Sequence, residues 1–241
     1  MSSFLSRLHA DLRQTRLTKR GATHLPENVP QGLHKVYARM KQIPLNKPKD
    51  IDISLTDALI SRTSSLRDSG RAQISLSECS ALLGHGLRKH PQGSSRNYPS
   101  GGALFPIETY LIATSLEDAG PGVFHYNPTA HVLEKLWDLP QGFSMKECIP
   151  NPDYLSPSVL LVFTSVWGRS SAKYGDFTYG LALLEAGHMS ENILLLATAL
   201  DLEVRPMAGF DDARITELLD INKENEQPVH TVTLSKENDR S

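Results

Sequence analysis

The spacing of apolar positions changes several times along the 241-residue chain, which predicts helices and strands mixed without strict β-α-β alternation. Residues 159–167 are apolar on both faces, as in a central strand of a sheet. Residues 177–202 are apolar nearly all round and predict one long, buried helix. We therefore expect an α+β fold built on a sheet and a central helix.

Shorter segments complete the expected fold. Runs of β-branched and aromatic residues predict further strands, with Asn127-Pro128 as the turn of a hairpin. These strands are expected at 108–114, 122–126, 131–137 and 231–234. Helices are expected at 54–62, 74–83 and 212–219. Ser54 supplies an N-cap for the first, and Ser75 followed by Glu78 is typical of a capping box for the second.

The two ends of the chain differ from its middle. Residues 1–32 are basic and weakly periodic, and Pro26, Pro30 and Gly32 interrupt them. This pattern predicts an N-terminal arm that is either solvated or docked on a partner. Residues 33–234 carry the periodic elements and predict one domain, whereas the polar residues 235–241 predict a frayed tail.

Composition narrows the classes of function. A net charge of −2 argues against a general surface for nucleic acid or anionic membranes. The longest apolar runs are too short to span a bilayer, and the N-terminus lacks the apolar region of a secretory signal. Cys79 and Cys148 lie far apart and imply no disulfide or zinc framework. We expect a soluble, cytoplasmic protein with no metal site.

The most informative stretch is a loop that carries almost no side chains. It consists of Pro99, Ser100, Gly101, Gly102 and Ala103. Glycine lets the backbone approach a ligand closely and leaves N–H donors accessible. Because a predicted strand follows at once, the loop is anchored on the core and suits a flat, polar-edged ligand such as a flavin. A tight turn that merely needs glycine explains the loop, taken alone, about equally well.

The wording of this loop, closed by Pro106, resembles the SagB-type dehydrogenases of the nitroreductase superfamily. These are FMN enzymes that oxidise thiazoline and oxazoline rings in peptides to thiazoles and oxazoles. Further segments resemble the family in the same order, at 34–45, 122–136, 173–193 and 208–212. The resemblance covers roughly residues 33–234. It implies a nitroreductase-like fold, in which helices flank a mostly antiparallel sheet and FMN lies at a homodimer interface.

The resemblance implies that Lys173 and Tyr174 form the catalytic pair. The azoline α-hydrogen lies between a C=N and a carbonyl, so a base can remove it while a hydride leaves the neighbouring carbon for flavin N5. Lys173 would be that base, made less basic by burial and by the nearby charge of Arg169. Tyr174 would donate a proton or hold the ring. Without the resemblance, a Lys-Tyr dipeptide would be interpreted as an ordinary surface loop.

The resemblance also implies a set of cofactor-binding residues. The loop residues 99–103 belong to it, as does a backbone N–H of Ala208 or Gly209 facing flavin N5. Arg62, Ser65 and Arg67 would hold the phosphate. The match to the superfamily pattern R-x-S-x-R/K is incomplete, because a threonine occupies the first arginine position and Arg62 is displaced by one. A C-terminal basic residue of nitroreductases has a poorer counterpart in Lys236.

Glu185, His188 and Asn192 are spaced to form one polar stripe on the long apolar helix. An E-x-x-H pair can bind metal, but carboxylate-bridged di-iron sites need two such pairs. We favour buried polar side chains that are satisfied across a dimer interface. The other histidines, notably His125 and His131, are most simply hairpin residues.

Three functions remain open. The first is FMN-dependent oxidation of azolines in a ribosomally made peptide, with a cyclodehydratase as partner and oxygen as the final acceptor. The second is an NAD(P)H-dependent nitro- or quinone reductase on the same scaffold. The third is a non-catalytic scaffold subunit of an azole synthetase complex, which the displaced arginine at the phosphate site supports.

Overall fold

The computed structural model describes residues 4–18, 34–64, 71–90, 92–93, 95–151 and 157–237. Its helices are α1 (Phe4–Thr18), α2 (Leu55–Ser61), α3 (Leu76–Gly86), α4 (Gly168–Tyr174), α5 (Thr178–Ala199) and α6 (Asp212–Leu219). Its strands are β1 (Lys41–Pro44), β2 (Arg71–Ala72), β3 (Ile107–Ala113), β4 (Gly122–Asn127), β5 (Val132–Trp137), β6 (Val159–Val166), β7 (Glu203–Met207) and β8 (Glu226–Glu237). None of these helices is both long enough and apolar enough to cross a bilayer.

The eight strands form one sheet in which every pairing is antiparallel. The order is β1-β5-β4-β3-β6-β8-β2, and β7 also pairs with β8. β3 and β6 are central and pair along their whole length, from Ile107 opposite Ser165 to Ala113 opposite Val159. The expectation of a mostly antiparallel α+β sheet is confirmed.

The core has two layers, one on each face of the sheet. Leu111 and Leu161 point to the face covered by α3 and α5. Their neighbours Ile112 and Leu160 point to the other face, where α6 packs. Successive residues of a strand point to opposite faces. Because both faces are covered, the central strands are apolar throughout, which is the pattern that predicted β6 from the sequence.

Most predicted elements are present with their ends shifted by a few residues. The α6 boundaries are those expected, and α5 runs over 178–199 instead of 177–202. Ser54 accepts a hydrogen bond from the Asp57 N–H at 3.0 Å, and Ser75 forms its capping box with Glu78. The sequence did not predict β1, β2, β7 or α4.

The two chain ends differ from expectation. Residues 4–18 of the proposed arm form helix α1, although the basic residues there show little periodicity. Residues 19–32 lie outside the described residues. The prediction of a frayed tail from Ser235 is wrong for residues 235–237, because β8 continues to Glu237 and pairs with β7 and β2. Residues 238–241 lie outside the described residues.

Candidate active site

The small-residue loop and the Lys-Tyr pair lie together at one end of the central strands. The loop enters β3, and α4, which carries Lys173 and Tyr174, leaves β6. Since β3 and β6 are antiparallel, the start of one strand lies beside the end of the other. The Val166 N–H donates to the Pro106 carbonyl at 2.9 Å and fixes this junction.

The catalytic pair predicted from the resemblance lies directly on Gly102. A β-carbon at Gly102 would be 2.6 Å from Tyr174 Oη and 3.0 Å from Lys173 Nζ, closer than side chains pack. Gly102 also has a φ of +66°, in the left-handed region that glycine adopts at little cost. Both the conformation and the contact therefore require glycine, and they bring an amine and a phenol to one point.

Local geometry turns the pair toward the loop. Lys173 and Tyr174 form the last residues of α4, and Lys173 Nζ lies 5.3 Å from the centroid of the Tyr174 ring. Gly175 ends the helix with a φ of 54° and a ψ of −140°, a conformation suited to glycine. The chain then turns into α5. Both side chains of the pair are half-buried, whereas Gly102 and Ala103 are exposed.

Arg169 makes two contacts that the sequence did not indicate. Its guanidinium forms an ion pair with Glu108 Oε1 and donates to the Phe105 carbonyl at 3.1 Å. Burial opposes ionisation of Glu108, but hydrogen bonds from His125 and the charge of Arg169 outweigh it and lower the pKa of this carboxyl to about 2. The charge of Arg169, expected to act on Lys173, is thus paired with Glu108.

Ser100 ties the loop to the long helix. Its Oγ donates to Glu185 Oε2 at 2.5 Å and accepts from the Phe105 N–H at 2.9 Å. Glu185 is only 2% exposed. Burial raises the pKa of Glu185 to about 7, although the Ser100 hydrogen bond and the charge of Arg96 act in the opposite direction. A carboxyl group that titrates near neutral pH thus lies behind the small-residue loop.

The polar stripe on α5 is divided by the structure. Glu185 is buried, His188 is exposed, and the Asn192 amide donates to the carbonyls of Gly86 and Asn97 at 3.1 and 2.9 Å. Asn192 therefore finds its partners within the chain, whereas Glu185 Oε1 is buried without a hydrogen-bond partner among the described residues. Partners across a dimer interface remain a prediction. Among the described residues, no three His, Cys, Asp or Glu side chains are grouped to hold a metal ion.

The second predicted loop lies at the same end of the strands. Ala208 and Gly209 are exposed and follow β7, and Ala208 lines a cleft of about 530 Å³ together with Trp167, Tyr179 and Phe210. β6 and β8 lie between β3 and β7, so the two loops are separated by three strand spacings, roughly 14 Å. Both loops therefore lie at the same end of the strands.

The candidate phosphate residues are only partly described. Arg62 is half-buried at the C-terminal end of α2. Ser65 and Arg67 lie outside the described residues. Lys236 donates to Glu78 Oε1 at 2.7 Å, so its ammonium is paired at the start of α3.

Sequence reasoning missed a row of buried charges beside the site. Glu108 on β3, His125 on β4 and Glu134 on β5 are neighbours across the sheet. His125 was interpreted as an ordinary hairpin residue, but its two ring nitrogens contact Glu134 Oε2 at 2.8 Å and Glu108 Oε2 at 2.9 Å. The available signal was the presence of charged residues inside otherwise apolar strands.

Comparison with known proteins gives the family. A family model described as the nitroreductase family matches residues 60–235. The chain belongs to this family. As a member, it is an oxidoreductase of the nitroreductase superfamily.

Two relatives are similar in sequence. A candidate nitroreductase of Methanocaldococcus jannaschii is 27% identical over 173 residues, which cover 71% of this chain and 87% of that protein. The microcin B17-processing protein McbC of Escherichia coli is 29% identical over 165 residues, which cover 65% of this chain. The match spans 60% of the length of McbC.

Solved structures show the same fold. A candidate nitroreductase from Ralstonia eutropha superposes with a TM-score of 0.70 at 22% identity, covering 90% of this chain and 100% of that one. A chain of the E. coli microcin synthetase McbBCD complex, with truncated pro-MccB17 bound, gives a TM-score of 0.63 at 22% identity. That match covers 99% of both chains. The expected nitroreductase-like fold is confirmed.

Proposed function

We propose that this protein is an FMN-dependent dehydrogenase that oxidises thiazoline or oxazoline rings of a ribosomally made peptide to azoles. The observation that carries the proposal is the contact of Lys173 and Tyr174 with Gly102 at one end of the central strands. The sequence similarity to McbC, a microcin B17-processing protein, supports a peptide as substrate.

The residues at the site fit FMN. Gly102, Ala103, Ala208 and Gly209 are exposed and lie at the same end of the strands. An aromatic-lined cleft lies beside Ala208. Small residues allow a flat ring to approach the backbone, whose N–H groups can bind its polar edge. Arg62, Ser65 and Arg67 remain the proposed phosphate ligands, and 99–103 and 208–209 the proposed ring contacts. When bound, FMN would supply the hydride acceptor.

Lys173 and Tyr174 have complementary tasks in this proposal. An unprotonated Lys173 amine removes the proton from the azoline α-carbon, while a hydride departs from the adjacent ring carbon. Tyr174 Oη donates a hydrogen bond that holds the ring. Since both polar atoms reach the space that a methyl group on Gly102 would fill, they can act on one small ring at the same time.

Exposed apolar side chains support association with other chains. Leu59 and Ile60 on α2 are 54% and 78% exposed, and Leu184 on α5 is 59% exposed. Such residues on neighbouring helices are typical of a protein interface. We propose a homodimer and a cyclodehydratase partner that supplies the azoline peptide, with flavin reoxidised by oxygen.

Mass spectrometry of an azoline peptide tests the proposal. Wild-type protein purified with FMN should remove two hydrogen atoms per ring in the presence of oxygen. Lys173→Ala and Tyr174→Phe should abolish this loss, whereas Lys146→Ala, at an exposed lysine away from the site, should not. An unchanged rate in both site variants would contradict the assigned roles.

A nitro- or quinone reductase is the second candidate. The similarity to the M. jannaschii protein, a candidate nitroreductase, covers more of this chain than the similarity to McbC does. Rapid oxidation of NADPH with a nitroaromatic acceptor, combined with no change in the azoline peptide, would favour this function.

A further inference from the structure

Arg169 connects α4, which carries Lys173 and Tyr174, to the small-residue loop. Arg169 lies one turn before Lys173 on α4, so the two side chains share a face of the helix. Its guanidinium donates to the Phe105 carbonyl at 3.1 Å, three residues beyond Gly102 in the loop. A second nitrogen forms the ion pair with Glu108 on β3. One side chain therefore links the helix of the catalytic pair, the loop beneath the pair and the central sheet.

Glu108 is held by two further partners. Its Oε1 accepts from the Lys35 N–H at 2.7 Å, and its Oε2 contacts His125 Nε2 at 2.9 Å. The other ring nitrogen of His125 contacts Glu134. Because both ring nitrogens face carboxylate oxygens, His125 is held as an imidazolium between two carboxylates. Glu108 and His125 are 1% and 0% exposed, so both side chains lie in the close-packed interior.

The charges of this row and of Arg169 balance. Glu108 and Glu134 carry two negative charges, and His125 and Arg169 carry two positive charges. Removing one member of a buried ion pair leaves an uncompensated charge, so the arrangement is strongly biased to a single geometry. Arg169 is only 10% exposed at its side chain and is fixed at the end of this row.

We infer that Glu108 and Arg169 are positioning residues, which hold Lys173 and Tyr174 at the distance from Gly102 that the reaction requires. This inference rests on the proposed function for its catalytic consequence. Neither residue needs to touch the substrate. The guanidinium fixes the start of α4 against the Phe105 carbonyl, and the pair at the end of α4 is fixed with it. A displacement of about 1 Å at a reacting group lowers a rate by roughly 100-fold.

Kinetics of three variants tests this role. Glu108→Gln removes the charge that orients Arg169, and Arg169→Lys keeps the charge but loses the fork that binds Phe105 and Glu108 together. We expect either change to lower kcat by roughly 10- to 100-fold with KM for the azoline peptide within about threefold of wild type. Glu134→Gln is the matched control, because it alters the same histidine but does not touch Arg169. It should keep kcat within about threefold of wild type.

Two kinetic results would contradict the positioning role of Glu108 and Arg169. A loss of kcat that is equal in Glu108→Gln and Glu134→Gln would overturn the positioning role, since it would reflect loosening of the whole row. Wild-type kcat in Arg169→Lys would overturn it too. If Glu108→Gln does not fold, Arg169→Lys carries the comparison alone.

Hydrogen exchange separates the failure of this inference from failure of the proposed function. Without substrate, Glu108→Gln and Arg169→Lys should exchange amide hydrogens about tenfold faster than wild type in residues 101–106 and 168–175. Glu134→Gln should not. If exchange rises as expected but Lys173→Ala keeps full activity, the positioning role of Glu108 and Arg169 stands and the assigned chemistry fails. If exchange is unchanged while Lys173 proves essential, the positioning role of Glu108 and Arg169 is overturned and the chemistry stands.

Discussion

The row of buried charges and the small-residue loop are neighbours with opposite character. In the row, Glu108 and Glu134 both receive hydrogen bonds from His125 and from backbone N–H groups. Around the loop, by contrast, Ser165 Oγ, Ser170 Oγ and Thr178 Oγ1 are buried without a hydrogen-bond partner in the part of the chain that the structure describes. The polar groups of the first region are satisfied within the chain, and groups that a ligand can satisfy are concentrated in the second.

Removing the central cation of the row should produce the largest loss of stability. His125→Ala leaves the carboxylates of Glu108 and Glu134 facing a cavity without their shared partner. Such a change costs about 3–5 kcal/mol. Urea denaturation at pH 6 should show this decrease in the free energy of unfolding.

A second buried histidine provides the control for that loss. His230 has a neutral partner, Ser190 Oγ at 3.1 Å, so His230→Ala should cost about 1–2 kcal/mol. Burial opposes protonation of His125, but the two carboxylates outweigh it and raise its pKa above 6.5. Its contribution is therefore complete below pH 6.5 and is lost as pH rises through the raised pKa. Equal losses in the two variants at pH 6 would contradict the charged state of His125.

A methyl group at Gly102 should disrupt the second region without affecting the first. Gly102→Ala places a β-carbon 2.6 Å from Tyr174 Oη, and the phenol and the amine must move. We expect kcat/KM for the azoline peptide to fall about 100-fold, equivalent to about 2.7 kcal/mol. The assay is the same mass-spectrometric measurement of hydrogen loss per ring.

Gly120 offers a close match for the backbone strain alone. Its φ is +70°, against +66° at Gly102, but a β-carbon there would have no atom within 4 Å. Both alanine variants should lose about 1–2 kcal/mol of stability, and only Gly102→Ala should lose activity. Similar activity in the two variants would show that the contact with Tyr174 is not needed.

The Glu185 carboxyl should give the small-residue region its own pH dependence. Because burial raises the pKa of Glu185 from 4.5 to about 7, the folded protein keeps a proton that the unfolded chain has released. Stability therefore falls as pH rises from 4.5 to about 7 and is level above that range. Glu185→Gln removes this decrease, and its carbonyl can still accept from Ser100.

Denaturation at two pH values measures this effect. The stability of Glu185→Gln relative to wild type should increase by about 2 kcal/mol between pH 5 and pH 8. Glu191→Gln, at an exposed position of the same helix, should leave the pH dependence as it is in wild type. Parallel pH curves for wild type and Glu185→Gln would mean that Glu185 ionises in the folded protein as it does in water.

Local patterns predicted the elements whose burial is uniform, and missed those whose environment comes from distant residues. The α5 helix is apolar nearly all round, and β6 is covered on both faces, so the apolar pattern of each segment predicts the element. β7 reads E-V-R-P-M, with a proline and two charged residues in five positions. It is a strand because β8 pairs with it, and proline is tolerated there because β7 lies at an edge.

The site shows the same division. The glycine loop and the Lys-Tyr dipeptide were both identified from the sequence, but their contact depends on the register between β3 and β6. Register is set by long-range pairing and cannot be read from either segment alone. For the same reason His125 looked like a hairpin residue: its partners, 9 and 17 residues away, become neighbours only in the folded sheet.

The pair of Lys236 and Glu78 is the exposed counterpart of the buried row and should have the smallest effect. The Lys236 side chain is 40% exposed, and such ion pairs contribute at most about 1 kcal/mol. Lys236→Met should therefore lower the free energy of unfolding by no more than that. Because the ammonium is already paired with Glu78, FMN affinity measured by flavin fluorescence should stay within about threefold of wild type. A tenfold weaker affinity would instead indicate that Lys236 leaves Glu78 to bind the phosphate, and would extend the ligand-binding region across to the start of α3.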